Sequence, residues 1–182
     1  MDLPILNLSS ISNIAIFVLE ENNEKLTRCI QAFAKHKEKD IQIVTNEQSR
    51  PLYSTFQNVH TTYDPNKYDY VRGSTFLFDN CFADEEWKKG KLNDFISYPR
   101  MYGLTTVVGF QHVPAITERM CWNLDMICIG ANPSSREKIY DYFFLYIFSY
   151  DEFCDLLEKY TNNGFLVLRR EGTEDKIYQA TC

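Results

Sequence analysis

The stretch Ser74-Thr75-Phe76-Leu77-Phe78-Asp79-Asn80-Cys81 places a carboxylate at the end of an apolar run. It predicts a short buried strand that stops at Asp79 and a polar turn. A carboxylate in that place can hold Mg2+, which prefers oxygen ligands. It can equally cap the turn that follows. Asn80 is an amide and accepts no proton at neutral pH, so it cannot serve as a general base. Two further strand ends carry polar groups. Thr105 to Phe110 (TTVVGF) is closed by Gln111 and His112, and Asn13 to Leu19 (NIAIFVL) leads into Glu20, Glu21, Glu24 and Lys25. No Ser or Cys is placed to make a catalytic pair with His112, which reads as a turn residue before Pro114.

Strands and helices must alternate to carry these ends. Ile41 to Thr45 (IQIVT) and Met126 to Gly130 (MICIG) are further strand candidates. Asn23 to His36 has Leu26, Ile30, Phe33 and Ala34 at helical spacing. Asp84 to Ser97 is amphipathic, with Trp87, Leu92, Phe95 and Ile96 on one side. Pro114 to Asn123 reads as a helix opened by proline. Ser134-Ser135-Arg136-Glu137 reads as a helix start, and Ser149 or Tyr150 to Tyr160 as another helix. Glu47 to Tyr70 is irregular, with a short strand near Val59 to Tyr63 and a turn at Asp64-Pro65-Asn66. Phe165 to Leu168 and Ile177 to Ala180 pair as a hairpin. The alternation predicts an α/β fold with a mainly parallel sheet over residues 1–182, read as one domain. In such sheets ligands sit beyond the carboxyl ends of the strands.

Composition narrows the classes. The 182 residues are 45% apolar and 15% aromatic, with 7 Gly and 6 Pro, which suits a packed core and not a disordered or loop-rich chain. The formal charge of −6 and pI near 5.1 argue against a free-standing nucleic-acid binder. Six cysteines show no C-x-x-C pair and no neighbouring His, so they read as buried thiols in a reducing compartment. The N-terminus has no basic region before an apolar run, as a signal peptide would. The longest apolar stretch, Tyr142 to Phe148, falls far short of the roughly 20 residues that span a bilayer. A soluble intracellular protein is the expectation.

The three strand ends, in their order, resemble the genome-packaging ATPases of poxviruses and other nucleocytoplasmic large DNA viruses. That family belongs to the FtsK-HerA branch of P-loop NTPases. Phe76-Leu77-Phe78-Asp79-Asn80-Cys81 is similar to its acid-bearing strand. Pro99-Arg100-Met101-Tyr102-Gly103-Leu104-Thr105 is similar to its arginine segment, with Pro99 where glycine is usual. Thr106-Val107-Val108-Gly109-Phe110-Gln111-His112-Val113-Pro114 is similar to its glutamine strand. The resemblance implies a P-loop NTPase-like three-layer fold. It also implies ATP with Mg2+ as ligands, DNA packaging as the process, and a homo- or hetero-oligomer with an active motor. Viral double-stranded DNA is a possible partner that the charge does not indicate. The implied locations are the cytoplasm of an infected cell, in a viral factory, or the virion; no membrane is implied.

The resemblance assigns roles and also shows departures. Asp79 takes the place of the Mg2+-binding acid, Asn80 that of the residue activating water, and Gln111 that of the γ-phosphate sensor. Arg100 takes the place of an arginine acting in trans, and Lys25 that of the phosphate-binding lysine. Aligned on the first strand, Leu19 to Leu26 lie over the phosphate loop, whose pattern is G-x-x-x-x-G-K-[ST]. Only Lys25 matches, with Leu19 and Glu24 at the glycine positions and Leu26 at the hydroxyl. Glu20, Glu21 and Glu24 would face a polyanion. One like-charge pair about 4 Å apart costs about 1 kcal/mol in water and about 4 kcal/mol at an effective dielectric of about 20. The family's later helix arginine falls on Cys121, with Arg119 two residues earlier.

Plainer roles stay open beside these. Lys25 is also a solvated residue in a first helical turn, Gln111 a structural polar group, and Arg100 a surface salt bridge to the acidic helix before it. Lys88-Lys89-Gly90-Lys91 either touches phosphates or shares a solvated face with Asp84, Glu85 and Glu86. The expectation is a degenerate packaging-ATPase homologue without hydrolysis, a structural or regulatory subunit. The alternatives are an active translocating ATPase with an atypical loop and a plain interaction module.

Overall fold

Runs that are apolar at every position, such as Phe76-Leu77-Phe78 and Met126 to Gly130, can be strands only if both faces of their sheet are covered. The computed structural model describes residues 13–18, 27, 28, 30, 31, 34, 41–61, 73–79, 94, 97–110, 118–130, 136–161, 164–171 and 174–180. Its strands are β1 (Asn13–Val18), β2 (Ile41–Thr45), β3 (Val59–His60), β4 (Thr75–Asp79), β5 (Thr105–Phe110), β6 (Met126–Gly130), β7 (Phe165–Glu171) and β8 (Glu174–Ala180). They form one sheet in the order β3-β2-β4-β5-β1-β6-β7-β8. The first six in that order are parallel; β7 and β8 close one edge as an antiparallel hairpin. This is the α/β class that the alternation predicts.

Alternate residues of each strand feed two cores. Phe76 and Phe78 of β4, Val108 and Phe110 of β5, Ile127 and Ile129 of β6, and Leu166 and Leu168 of β7 share one core. Met120, Leu124, Ile139, Phe143, Phe144, Phe153 and Leu157 cover it. These come from the helices Glu118–Asn123 and Tyr150–Thr161, the segment between them, and the residues around Tyr140. Leu77, Val107, Met126, Cys128, Phe165 and Val167 point the other way, onto Ile30, Ala34 and Tyr53. Residues 27, 28, 30, 31 and 34 are helical, as the spacing predicts. Leu26 and Phe33 lie outside the described residues.

Local chemistry sets several boundaries. The helix Tyr150–Thr161 opens with a capping box. Ser149 donates its N–H and hydroxyl to Glu152 at 2.9 and 2.7 Å, and these bonds hold the Glu152 carboxyl below its usual value. The one-turn helix Pro99–Tyr102 ends at Gly103, which has φ 65°, a left-handed cap that suits glycine. β7 and β8 run further than the apolar pattern indicates, pairing Glu171 with Glu174. Cross-strand hydrogen bonds hold polar residues that propensity alone leaves in a turn. The expected helix at 84–97 is described only at 94 and 97, both helical. Its Trp87, Leu92, Phe95 and Ile96 lie outside, as do Ser134, Ser135 and Pro114. Cys121, Cys128 and Cys154 are free thiols, the first two buried. No helix among the described residues is long and apolar enough to cross a membrane.

Gly130 stands opposite Phe165 in the β6–β7 pair. A Cβ there would lie 2.5 Å from the Phe165 ring, which is itself 1% exposed. We expect Gly130→Ala to cost about 1–3 kcal/mol, lowering the thermal midpoint by roughly 2–12 °C in differential scanning fluorimetry. An unchanged midpoint would mean that the ring yields without cost.

Candidate functional site

Asp79 ends β4 and is fully buried. It follows Leu77 in the strand's two-residue alternation, so its side chain lies on the face covered by Ile30 and Tyr53. Its direct neighbour on β2 is Thr45. Three hydroxyls converge on Oδ2. The Tyr53 hydroxyl donates at 2.7 Å and the Thr27 hydroxyl at 3.1 Å, while Thr45 Oγ1 stands at 3.5 Å, long for a hydrogen bond. Oδ1 is buried and has no hydrogen-bond partner.

Each donor has a local reason to be there. Thr45 closes an apolar strand parallel to β4. Thr27 sits three residues before Ile30 on the same helical face. Tyr53 ends the 3-10 turn Arg50–Tyr53, with Pro51 at the start of that turn. The turn drives the fully buried Tyr53 ring inward, 6.1 Å from the Phe56 ring. Burial pushes the Asp79 carboxyl above its usual range, against the opposing pull of the bonds from Tyr53, Thr27 and Thr45.

These donors bear on the ligand that the fold class implies. The set is all oxygen, and Oδ1 lacks a partner, as a hard cation requires. Mg2+, however, keeps several of its waters, and Asp79 is 0% exposed with Oδ2 already committed. The enclosed carboxylate therefore does not suit hydrated Mg2+ in this arrangement. It suits a structural role and, with its raised pKa, a proton.

The sequence-derived residues divide sharply. Lys25, Asn80 and Gln111 lie outside the described residues, as do Glu20, Glu21, Glu24, His112 and the Lys88–Lys91 run. Of the hydroxyls that meet Asp79, Thr27 stands one residue after the Leu26 that the resemblance aligns at the hydroxyl position. Arg100 is not brought to Asp79. β4 and β5 pair from Thr75 with Thr105 to Asp79 with Gly109, and Arg100 precedes β5, so it stands beyond the opposite end of the sheet. The exposed Arg100 guanidinium forms an ion pair with Asp125, whose side chain is only 12% exposed. Asp125 immediately precedes β6, so the pair clasps the starts of β5 and β6 across β1. Arg119 lies over the Tyr98 ring, 5.3 Å from its centroid, and Cys121 is buried. Tyr53 and Thr27 were not legible as site residues. The only local signals were a polar residue closing IQIVT and a proline-led turn.

No family model matches the chain, and no curated protein matches it in sequence. Solved structures do match. The genome packaging NTPase B204 from Sulfolobus turreted icosahedral virus 2, in complex with ATPγS, is 14% identical with a TM-score of 0.61. The match covers 94% of this chain and 98% of that one. The same protein in complex with AMPPCP gives a TM-score of 0.62 at 14% identity over the same shares. B204, the DNA-packaging ATPase from Sulfolobus turreted icosahedral virus, gives 0.56 at 15% identity, covering 93% and 98%. At such identities the likeness is one of fold. The chain has a P-loop NTPase-like α/β fold, as the resemblance implies.

Two outcomes test the Asp79 cluster. The folded protein keeps its Asp79 proton to higher pH than the unfolded chain, whose value lies near 3.8. Unfolding free energy therefore falls as pH rises from there through the raised folded value. Asp79→Asn removes this slope, so in urea titrations the variant gains on the wild type as pH rises above the unfolded value. A difference independent of pH would refute the raised value. Tyr53→Phe removes the shortest bond to Oδ2 and should cost about 1–3 kcal/mol in the same titration.

Proposed function

We propose that this chain is a packaging-NTPase-like domain without ATP hydrolysis, acting as a structural or regulatory subunit beside an active packaging motor. The observation that carries the reading is the enclosed Asp79. Its Oδ2 takes bonds from Tyr53 and Thr27, and burial favours its neutral form. A carboxylate used in this way ties the sheet to its covering elements and is not free to hold Mg2+. The sequence supports the same reading. Asn80 follows Asp79 where a proton acceptor would be needed, and the sequence after β1 carries Glu20, Glu21 and Glu24 with no glycine. Fold likeness to a genome packaging NTPase over nearly the whole chain supports the process; an assembling virion or viral factory is the setting.

One observation favours the active alternative. Thr27 donates to Asp79, and in P-loop NTPases a loop Ser or Thr and a strand-end Asp together hold Mg2+. On that reading the enclosed state opens when ATP and Mg2+ enter, and Lys25, Gln111 and Arg100 of a neighbouring subunit act on the phosphates.

Titration calorimetry with ATP and Mg2+ separates the two. The proposal expects no saturable heat at millimolar nucleotide and no phosphate release with or without double-stranded DNA. Mg2+-dependent turnover abolished by Lys25→Ala or Thr27→Ala would overturn it. Co-purification with a packaging ATPase from the same source is expected, and its absence would favour a plain interaction module.

A further inference from the structure

At the opposite end of the sheet from Asp79 lies a groove of about 720 Å3. Trp122, Asp141, Tyr142, Tyr146, Arg170 and Asp175 are among its lining residues. Its place follows from the register: Trp122 belongs to the helix leading into β6, and Arg169 pairs with Met126 at the start of that strand. The groove owes nothing to the nucleotide chemistry considered above.

A local irregularity displays its aromatic wall. Residues Tyr140–Phe144 form a π-helical turn, with the Leu145 N–H donating to the Tyr140 carbonyl at 2.9 Å. Single π turns are rare and recur at functional sites. The inner side of this one is anchored. Phe143 and Phe144 are buried, and the Tyr140 hydroxyl donates to the Phe148 carbonyl at 2.9 Å. The Tyr140 ring meets Tyr150 edge-on at 5.3 Å and Phe153 at 5.7 Å. The outer side is left open: Tyr146 is 97% exposed, and Trp122 on the facing helix 71%. Tyr142 and Leu145 extend this exposed apolar surface.

Charge selects the occupant. Arg170 is neutralised inside the groove, donating to the Cys121 carbonyl and lying 3.8 Å from Asp175. Asp141 is exposed and has no hydrogen bond or ion pair among the described residues. Two carboxylates against one guanidinium leave the groove net negative, on a chain of net charge −6. Phosphate-bearing partners are repelled from such a surface, whereas aromatic faces beside a free carboxylate attract an organic cation. A volume within the usual range of about 300–1,000 Å3 accepts a few side chains.

We propose that this groove docks a segment of a partner protein that inserts an arginine or lysine flanked by apolar residues. The cation lies against Trp122 and Tyr146 and pairs with Asp141, while the flanking residues cover Tyr142 and Leu145.

The test uses fluorescence anisotropy of three labelled probes on the full chain: a leucine–arginine amphipathic helix peptide, the same peptide with glutamate for arginine, and oligo-dT. The arginine peptide is expected to bind saturably, and the other two not. Tyr146→Ala and Trp122→Ala should each weaken binding about tenfold, and Asp141→Asn about fivefold. Leu52→Ala, a control in the distant 3-10 turn that is also exposed, should leave it unchanged. Circular dichroism confirms that each variant is folded. The proposal falls if the arginine peptide fails to bind, if the groove variants bind as well as wild type, or if oligo-dT competes for the site. It falls equally if sedimentation shows a concentration-dependent dimer that Tyr146→Ala abolishes, since the groove would then seat a second copy of this chain.

Discussion

A carboxylate that is taken wholly out of water must be given partners or a proton. Asp79 receives both kinds of relief. Tyr53 and Thr27 bond one oxygen, and the cost of burial shifts the group toward its neutral form. The consequence reaches beyond one residue. The three hydroxyls come from a helical segment, from β2 and from a 3-10 turn, so a single side chain draws together elements from three parts of the chain. The covering layer on that face of the sheet is organised around this point. The opposite layer is held by aromatic packing, with Phe144 and Phe153 ring centroids 4.7 Å apart.

The parallel sheet gives the molecule two chemically different ends. Where strands β2 and β4 finish, Thr45 and Asp79 stand side by side, both buried. Where β5 and β6 begin, Arg100 and Asp125 pair at the surface, and Arg170 ties the β7–β8 hairpin to the helix before β6. An arginine at that second end cannot serve the first end of its own chain. Any action of Arg100 on phosphates would need another subunit, and its pairing with Asp125 supplies a structural reason for its presence without one. The aromatic groove belongs to the same end, the length of the sheet away from Asp79.

The fold likeness extends over nearly the full length of both chains at only 14% identity. Such a sheet depends on apolar cores, which tolerate the exchange of one apolar side chain for another of similar volume. A phosphate site is less tolerant, because it needs glycine backbone, a lysine and an open carboxylate together.

The sequence by itself determined the largely apolar strands. IQIVT, TTVVGF and MICIG are strands with the bounds that their runs predict, because they are too short for helices and most are rich in β-branched residues, which suit a sheet. It also determined the α/β class, the helix after Ser149, and the place of Asp79 at a strand end; the capping box that opens that helix came from the structure. It did not reveal Tyr53 or Thr27, which are 26 and 52 residues from Asp79 in the chain. Nor did it reveal the π turn at Tyr140, the partner of Arg100, or the full reach of the β7–β8 hairpin. Those depend on contacts between segments remote in sequence, or on backbone geometry that only tertiary packing stabilises. Periodicity reports which face of an element is apolar, but only the assembled sheet decides which hydroxyls meet a buried carboxylate and which arginine is left on the far side.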